Sequence, residues 1–304
     1  MQAMAKAGKK RKNFSYERKL ELTAYRFLAP AAILLIFFCI LPMLASFWFS
    51  LQQMGVNLET AKFVGLKNYV KAFGDRKFIQ SIVLTLRFTA MEVPLQMIAG
   101  LLFSALLTKN TFLNKIFRGI FFLPMIASAV TVGIMWQLTL HSNIGLFTYW
   151  LKCLGANNPN YLNNPDTALT AVMCIAVWKT FGISTMILIS AMQNVPDSLY
   201  EAAEIDGAGK IRQFFSVTIP EIMPQFWFLL MTRIIGSLQV FDTIYTLTRG
   251  GPNRATTTMV VYIFDKAFNS LNQMGYATAM SEILFFMLLI LTAIQYFFMN
   301  KTSD

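Results

Sequence analysis

Residues 195–224 read VPDSLYEAAEIDGAGKIRQFFSVTIPEIMP and hold the densest chemistry in the chain. Glu201, Glu204 and Asp206 lie beside Ala202 and Ala203, and Gly207, Ala208 and Gly209 follow. This set offers a partner an acidic edge and a small-residue edge or, with Lys210, a cradle for phosphate. The phosphate reading fails, because a phosphate loop needs GxxxxGK followed by Ser or Thr. Glu204 occupies the first glycine position and Ile211 follows Lys210, so no nucleotide site is expected.

Other catalytic sets are poorly supplied. His141 is the only histidine, and Cys39, Cys153 and Cys174 are isolated from one another. There is no HExxH, no CxxC and no material for a Ser-His-Asp triad, so no catalytic or metal site is expected. A different chemistry is carried by charges inside apolar runs, which are costly in a bilayer and often functional. Arg87, Glu92, Lys179, Arg233 and Glu282 are such charges. Arg87 and Glu282 either lie near an interface and snorkel or face the interior. Lys179 and Arg233 either line a polar path or pair with Glu92 and carbonyls. Trp178 and Tyr245 can stack on a sugar face, Gln239 can bond its hydroxyls, and Asp242 lies between them. Each of these residues has an equally ordinary reading in helix packing or an aromatic belt.

These residues must be positioned by a membrane scaffold. The 304-residue chain is 56% hydrophobic and only 13% charged, against about 25% charged residues in soluble domains. About 20 apolar residues cross a bilayer, and six runs qualify, at about 27–50, 78–107, 116–140, 168–193, 222–246 and 278–299. In lipid every backbone polar group must be satisfied within its segment, so these runs are read as helices. The net charge of +11 is read as membrane-edge lysine and arginine rather than as a nucleic-acid surface. The first run is too long for the h-region of a signal peptide.

Orientation follows the basic residues. Residues 1–24 form a basic tail with Lys6, Lys9, Lys10, Arg11, Lys12, Arg18 and Lys19, placed in the cytoplasm. Six spans return the C-terminus, beside Lys301, to the same side, and the 195–224 island also falls there. The outer loop 52–77 is the exception, with Lys62, Lys67, Lys71, Arg76 and Lys77. Residues 64–69 lead toward a short interfacial helix, residues 145–155 lie against the membrane, and residues 157–164 form turns broken by Pro159 and Pro165. Arg249-Gly250-Gly251-Pro252-Asn253 marks a turn before a further helical stretch over 259–268.

Within the island, Ser198 and Glu201 fit a capping box. The spacing predicts one short helix to about Asp206, Gly207 and Gly209 in its C-terminal turn, and a second helix over 210–217 ending before Pro220. The alternative is an amphipathic loop on lipid headgroups, which its acidic residues disfavour because the inner leaflet is negative.

Glu201-Ala202-Ala203, Gly207 after three intervening residues, and Val217-Thr218-Ile219-Pro220 after nine more resemble the EAA motif of binding-protein-dependent ABC importer permeases. The family pattern ends I-x-L-P, so Val217 and Ile219 are mild departures. Asp206-Gly207-Ala208 also fits. Val64-Gly65-Leu66-Lys67-Asn68-Tyr69, Val93-Pro94-Leu95-Gln96, Phe241-Asp242 and Gly250-Gly251-Pro252 before Ala255-Thr256-Thr257-Thr258 are similar to its carbohydrate branch. Within that branch the chain resembles the first-type subunit of maltose, lactose and glycerol-phosphate permeases. The likeness runs over residues 25–299.

The resemblance implies an all-α integral membrane protein with six transmembrane helices, the type I importer permease fold, and cytoplasmic coupling helices at 195–224 within a permease domain of 25–300. It places Glu201, Ala202, Ala203, Asp206, Gly207, Ala208 and Pro220 at the ATPase contact. It implies a second homologous permease subunit, two ATPase subunits, an extracytoplasmic solute-binding protein and the lipid bilayer as partners, with no nucleic acid. It implies no cofactor on this chain, ATP and magnesium being bound by the ATPase subunits. The expected location is a bacterial or archaeal cytoplasmic membrane. The cargo is a sugar or oligosaccharide, or else an acidic oligosaccharide or glycerol-phosphate-type solute. A secondary transporter without ATPase is the competing class, against which the lack of an internal repeat counts.

Overall fold

A computed structural model describes residues 2–55, 61–155, 160–271 and 273–303. Helices carry almost all of it. The first, α1 (Gln2–Leu35), runs through a π-helical turn at Ile36–Ile40 into α2 (Leu41–Ser50). Residues 2–24 are thus helical and continuous with the first span, where the sequence suggests a separate tail. A two-residue ladder pairs β1 (Gln52–Gln53) with β2 (Lys62–Phe63). Then come α3 (Lys67–Gly74), α4 (Arg76–Leu107), α5 (Phe112–Ile126), α6 (Ala129–Thr139), α7 (Leu146–Cys153) and α8 (Pro165–Gln193). The chain continues with α9 (Asp197–Ile205), α10 (Lys210–Gln213), a second π-helical turn at Phe214–Thr218, α11 (Ile219–Leu238), α12 (Asp242–Thr248), α13 (Met259–Phe268) and α14 (Met274–Ser303).

Five helical segments are long and apolar enough to span: Arg18–Ser50, Arg76–Leu107, Pro165–Gln193, Lys210–Leu238 and Met274–Phe297. The sixth is a bent pair, α5 and α6, which meet at 98°. The sequence predicts one run over 116–140. Instead the backbone leaves the helical region at Ala127, whose ψ is 140°. The two halves serve different neighbours. α5 packs on α8, where a Cβ on Gly182 would collide with the Phe121 carbonyl, and α6 packs on α12, where Gly133 meets Thr246. The predicted run 222–246 is likewise interrupted. α11 stops at Leu238, and Phe241 adopts φ −133° and ψ −62° before α12 begins.

Both π-helical turns lie just ahead of a proline, Pro42 and Pro220. Proline lacks an N–H and its ring crowds the carbonyl four residues earlier. A locally widened turn relieves that conflict without ending the helix. The sequence predicts a helix that stops before Pro220. The structure instead carries α10 through the wide turn into α11.

The core divides into three clusters. One joins Phe88, Val172, Ile175, Ile244 and Leu247. A second joins Phe78, Met259, Tyr262, Tyr276 and Met280. The third joins Val93, Leu188, Met192, Ile222 and Leu229. Helix α4 contributes to all three and packs most extensively on α8, where Gly100 meets Ser184 closely. Helix α13 occupies Met259–Phe268, with its first amide bonded to Thr85 Oγ1 at 2.8 Å. At the α3–α4 junction, Asp75 accepts bonds from Tyr262 Oη (2.7 Å) and Tyr276 Oη (2.9 Å). Partial burial alone would raise the Asp75 pKa, but these hydroxyls and the amides of Lys77 and Phe78 outweigh it and hold the carboxyl below its ordinary value. Burial first, then the bond to Asp75, pushes the Tyr262 phenol upward.

The predicted turns at 157–164 fall partly outside the described residues, as does Pro159. Helix α7 exposes Leu146, Tyr149 and Trp150. His141 is exposed and accepts a bond from the Asn143 amide through Nδ1. No group of three or more metal-ligating side chains occurs among the described residues.

Candidate coupling foot and translocation site

The island folds as two helices and a tight turn. Helix α9 begins one residue before the predicted cap: Pro196 is the capping residue and makes no side-chain bond, so the Ser198–Glu201 capping box does not form. Asp197 in the first turn supplies negative charge beside the positive helix end instead. At the other end Gly207 adopts φ +75°. Its amide bonds the Glu204 carbonyl, and the Ala208 amide bonds the Ala203 carbonyl, both at 2.9 Å. This is a Schellman turn, which needs a left-handed residue at the Gly207 position. Gly209 does not share that role. It has φ −69° and caps the start of α10.

The base of the foot is fixed to the membrane helices. Tyr200 Oη and Thr218 Oγ1 lie 2.9 Å apart, and Gln213 Nε2 donates to the Ala208 carbonyl at 3.0 Å. Phe214 and Val217 pack against the third core cluster, beneath α4, α8 and α11. Beside them Arg118 donates to the Leu107 carbonyl (2.6 Å) and the Thr108 carbonyl (2.9 Å), satisfying the end of α4. Gln193 Nε2 also reaches the Thr108 carbonyl, at 2.8 Å.

The tip stands clear of the fold. Glu201, Ala202, Asp206 and Gly207 are exposed, Ala203 and Ala208 are half-buried, and Pro220 is exposed at the base. Ile205 and Ile211 are 88% and 79% exposed, and Phe215 is 67% exposed. Sequence reasoning missed the two isoleucines, which make the tip apolar as well as acidic. The signal was available, because an isoleucine beside each end of a polar turn has no core to enter.

Farther along the same helix lies a cavity of about 250 Å³. Four of the six path candidates line it: Lys179 from α8, Arg233 from α11, and Gln239 and Asp242 from the break between α11 and α12. Glu92 and Gln96 from α4, Thr180 from α8 and Ser237 from α11 complete its polar wall. Glu92 is 6% exposed, Ser237 6% and Gln96 1%. Gln96 donates to Ser184 at 3.3 Å. Glu92 interacts with Ser237 and with the Arg233 guanidinium, yet among the described residues Glu92 Oε2, Arg233 Nε and Ser237 Oγ make no close hydrogen bond. Buried polar atoms are normally satisfied, so this wall retains unused hydrogen-bonding capacity. Gln96 and Ser237 were missed in the sequence. Glu92/Gln96 and Arg233/Ser237 are both four-residue spacings, which put polar pairs on one face of each helix.

Trp178 and Tyr245 lie outside this wall. Trp178 meets Trp136 edge-on at 5.3 Å beside a separate, mostly apolar cavity. Tyr245 stacks on Phe241 at 5.0 Å and meets Phe264 edge-on. Glu282 does not snorkel. It is 4% exposed and accepts a bond from Ser46 Oγ of α2. Arg87 is exposed on α4.

Residues 94–304 match the family described as binding-protein-dependent transport system inner membrane component. The chain belongs to this family. It is 34% identical over 270 residues to a trehalose/maltose transport system permease protein of Thermococcus litoralis, covering 89% of this chain and 91% of that one. It is 31% identical over 273 residues to the sn-glycerol-3-phosphate transport system permease protein of Escherichia coli O157:H7, covering 90% and 92%. In fold, the permease is similar to a chain of a bacterial ABC transporter that imports the acidic polysaccharide alginate. The TM-score is 0.81 at 21% identity, over 96% of this chain and 100% of that one.

Proposed function

We propose that this permease is the translocation subunit of an ATP-driven sugar importer, powered through the 195–224 foot. The observation that carries the reading is mechanical. One continuous helical segment, Lys210–Leu238, widened at Phe214–Thr218 and carrying Pro220 and Pro224, starts in the foot and ends at the polar cavity. From Lys210 to Arg233 this is about 35 Å of helix at about 1.5 Å per residue. Motion imposed on the foot therefore has a continuous helical path to the cavity. The exposed acids, small residues and isoleucines of the tip form the surface an ATPase subunit would hold. Hydrolysis, with its ATP and magnesium, takes place in two such subunits, and this chain contributes no nucleotide site.

A second permease subunit closes the path, and an extracytoplasmic binding protein delivers cargo. A related fold has been seen in complex with a periplasmic protein carrying an alginate pentasaccharide. The foot faces the cytoplasm of a bacterial or archaeal cell and the α3 end faces outward. Substrate shifts the cycle only through contacts that differ between inward- and outward-open states.

The cavity also bears on the cargo. Lys179 and Arg233 suggest an anion when read alone, but Glu92 and Asp242 share the same wall. The charges balance, which favours a neutral polyhydroxyl solute over a uronic or phosphorylated one. Relatives named for trehalose/maltose and for glycerol-3-phosphate carry both kinds. The test is uptake by the complete reconstituted complex with its binding protein. Neutral oligosaccharide uptake that needs ATP supports the reading. Uptake without the ATPase subunits, or uptake confined to anionic sugars, contradicts it.

A further inference from the structure

The first span ends, at the membrane face opposite the foot, beside a helix with three different faces. Around α3, Asn68 (8% exposed) and Ala72 (0%) face the protein. Asn68 Nδ2 donates to the carbonyls of Ser50 (2.8 Å) and Gln52 (2.9 Å), and Tyr69 Oη lies 2.7 Å from Ser50 Oγ. At about 100° per residue, Leu66, Val70 and Phe73 form a second face, and they are 67%, 72% and 64% exposed. Lys67 and Lys71 lie on the flank between those two faces.

The apolar face does not stop at α3. Phe63, 66% exposed, lies 6.0 Å from the ring of Trp48, itself 56% exposed on α2. Trp48 belongs to the span Arg18–Ser50, none of whose most apolar window is buried inside the protein. The stripe on α3 therefore lies beside a span face that the rest of this chain leaves uncovered. Lys62 on β2, and Arg76 and Lys77 at the start of α4, are exposed as well.

We propose that α3 is an interfacial helix: its Leu66–Val70–Phe73 stripe rests in acyl chains, and its basic flank binds anionic phospholipid headgroups. Three faces match three environments, namely protein, hydrocarbon and headgroup. Basic amphipathic helices bind anionic interfaces through this combination of apolar area and charge. The proposal also accounts for five basic residues in a loop that a simple inside-positive bias would leave poor in them.

The test uses the complete importer in nanodiscs of phosphatidylcholine, with and without phosphatidylglycerol. With Cys39, Cys153 and Cys174 replaced by serine, a spin label on Val70→Cys reports local access. Greater access to oxygen than to a water-soluble nickel chelate, unchanged by loaded binding protein, is expected. Dominant nickel access, or shielding on addition of binding protein, would overturn the lipid assignment in favour of a water-facing or protein-docking surface. For the headgroup, phosphatidylglycerol retained by the complex is measured for wild type and for Lys62→Gln with Lys67→Gln. These two are chosen because Lys71 Nζ already sits 4.3 Å over the Tyr276 ring. A fall of about fivefold per lysine is expected. Equal retention would overturn anionic selectivity.

Discussion

The foot and the cavity satisfy their polar groups in opposite ways. In the foot, the Schellman turn, the Tyr200–Thr218 contact and the Gln213–Ala208 bond close the structure on itself. In the cavity, Glu92, Arg233 and Ser237 interact with one another, but each keeps a buried polar atom with no close hydrogen bond among the described residues. On the proposed reading, the foot transmits force and must hold its shape without help. The cavity, on the same reading, hands on a cargo and must leave bonds to be made and broken.

That contrast can be attacked from the cavity side first, where the largest effect is expected. Arg233→Ala removes a cation that interacts with the buried Glu92 carboxylate, leaving that charge less compensated. ATP-driven uptake should fall more than tenfold, and the double variant Glu92→Gln with Arg233→Gln should recover part of the loss in thermal stability. ATPase co-purification should stay at the wild-type level in both, which separates the cavity from the foot.

The next test distinguishes two glycines of one motif. Gly207→Val forces a branched side chain to φ +75°, costing about 1–2 kcal/mol and opening the turn. Gly209→Ala places a methyl at φ −69° with nothing within 4 Å of it. ATP-driven uptake should be lost in the first variant and nearly normal in the second. If both behave alike, the turn geometry is not what the foot requires.

Glu201→Lys reverses charge on the exposed tip without touching the base. Co-purified ATPase should drop roughly tenfold, about 1.4 kcal/mol, while membrane insertion is unchanged. Undiminished ATPase would remove Glu201 from the contact.

The smallest effect is expected far from both regions. Asp75→Asn replaces charge-assisted bonds from Tyr262 and Tyr276 with weaker neutral ones, a loss of about 1 kcal/mol. Because the folded carboxyl is held low, its stabilisation is complete above the ordinary aspartate value of about 3.9. It fades as pH falls through the lower folded value. Melting of the purified complex across that acid range should show the difference between wild type and Asp75→Asn disappearing.

The same contrast explains what the sequence revealed. The foot is contiguous, so its acids, alanines and Gly207 could be read together as a docking surface. Its internal bonding was less legible. Ser198-x-x-Glu201 spelled a cap that Pro196 pre-empted two residues earlier, and Pro220 signalled a stop that a widened turn absorbs. The cavity draws on α4, α8, α11 and the segment before α12, so only tertiary packing could bring Glu92 beside Lys179, Arg233 and Asp242. Charge within apolar runs identified three of these four residues as unusual and said nothing of their grouping. Composition gave aromatic Trp178 and Tyr245 equal claim to the path, and packing against Trp136 and Phe241 sets them beside it. The bend of 98° between α5 and α6 was also hidden. An apolar run reads as continuous whether or not its two halves pack on different helices.

A single continuous helix joins the foot to the cavity, and Ser216 offers the most direct test of whether it couples them. Its side chain is exposed in the widened turn and bonds only the Arg212 carbonyl one turn back. Ser216→Pro breaks the helix there at a cost of about 3 kcal/mol, with Ser216→Ala as the control. The quantity measured is solute imported per ATP hydrolysed by the reconstituted complex. The account predicts that Ser216→Pro still binds the ATPase and supports hydrolysis while the ratio collapses, and that Ser216→Ala keeps it. A wild-type ratio in Ser216→Pro, with the helix shown to be broken, would contradict it.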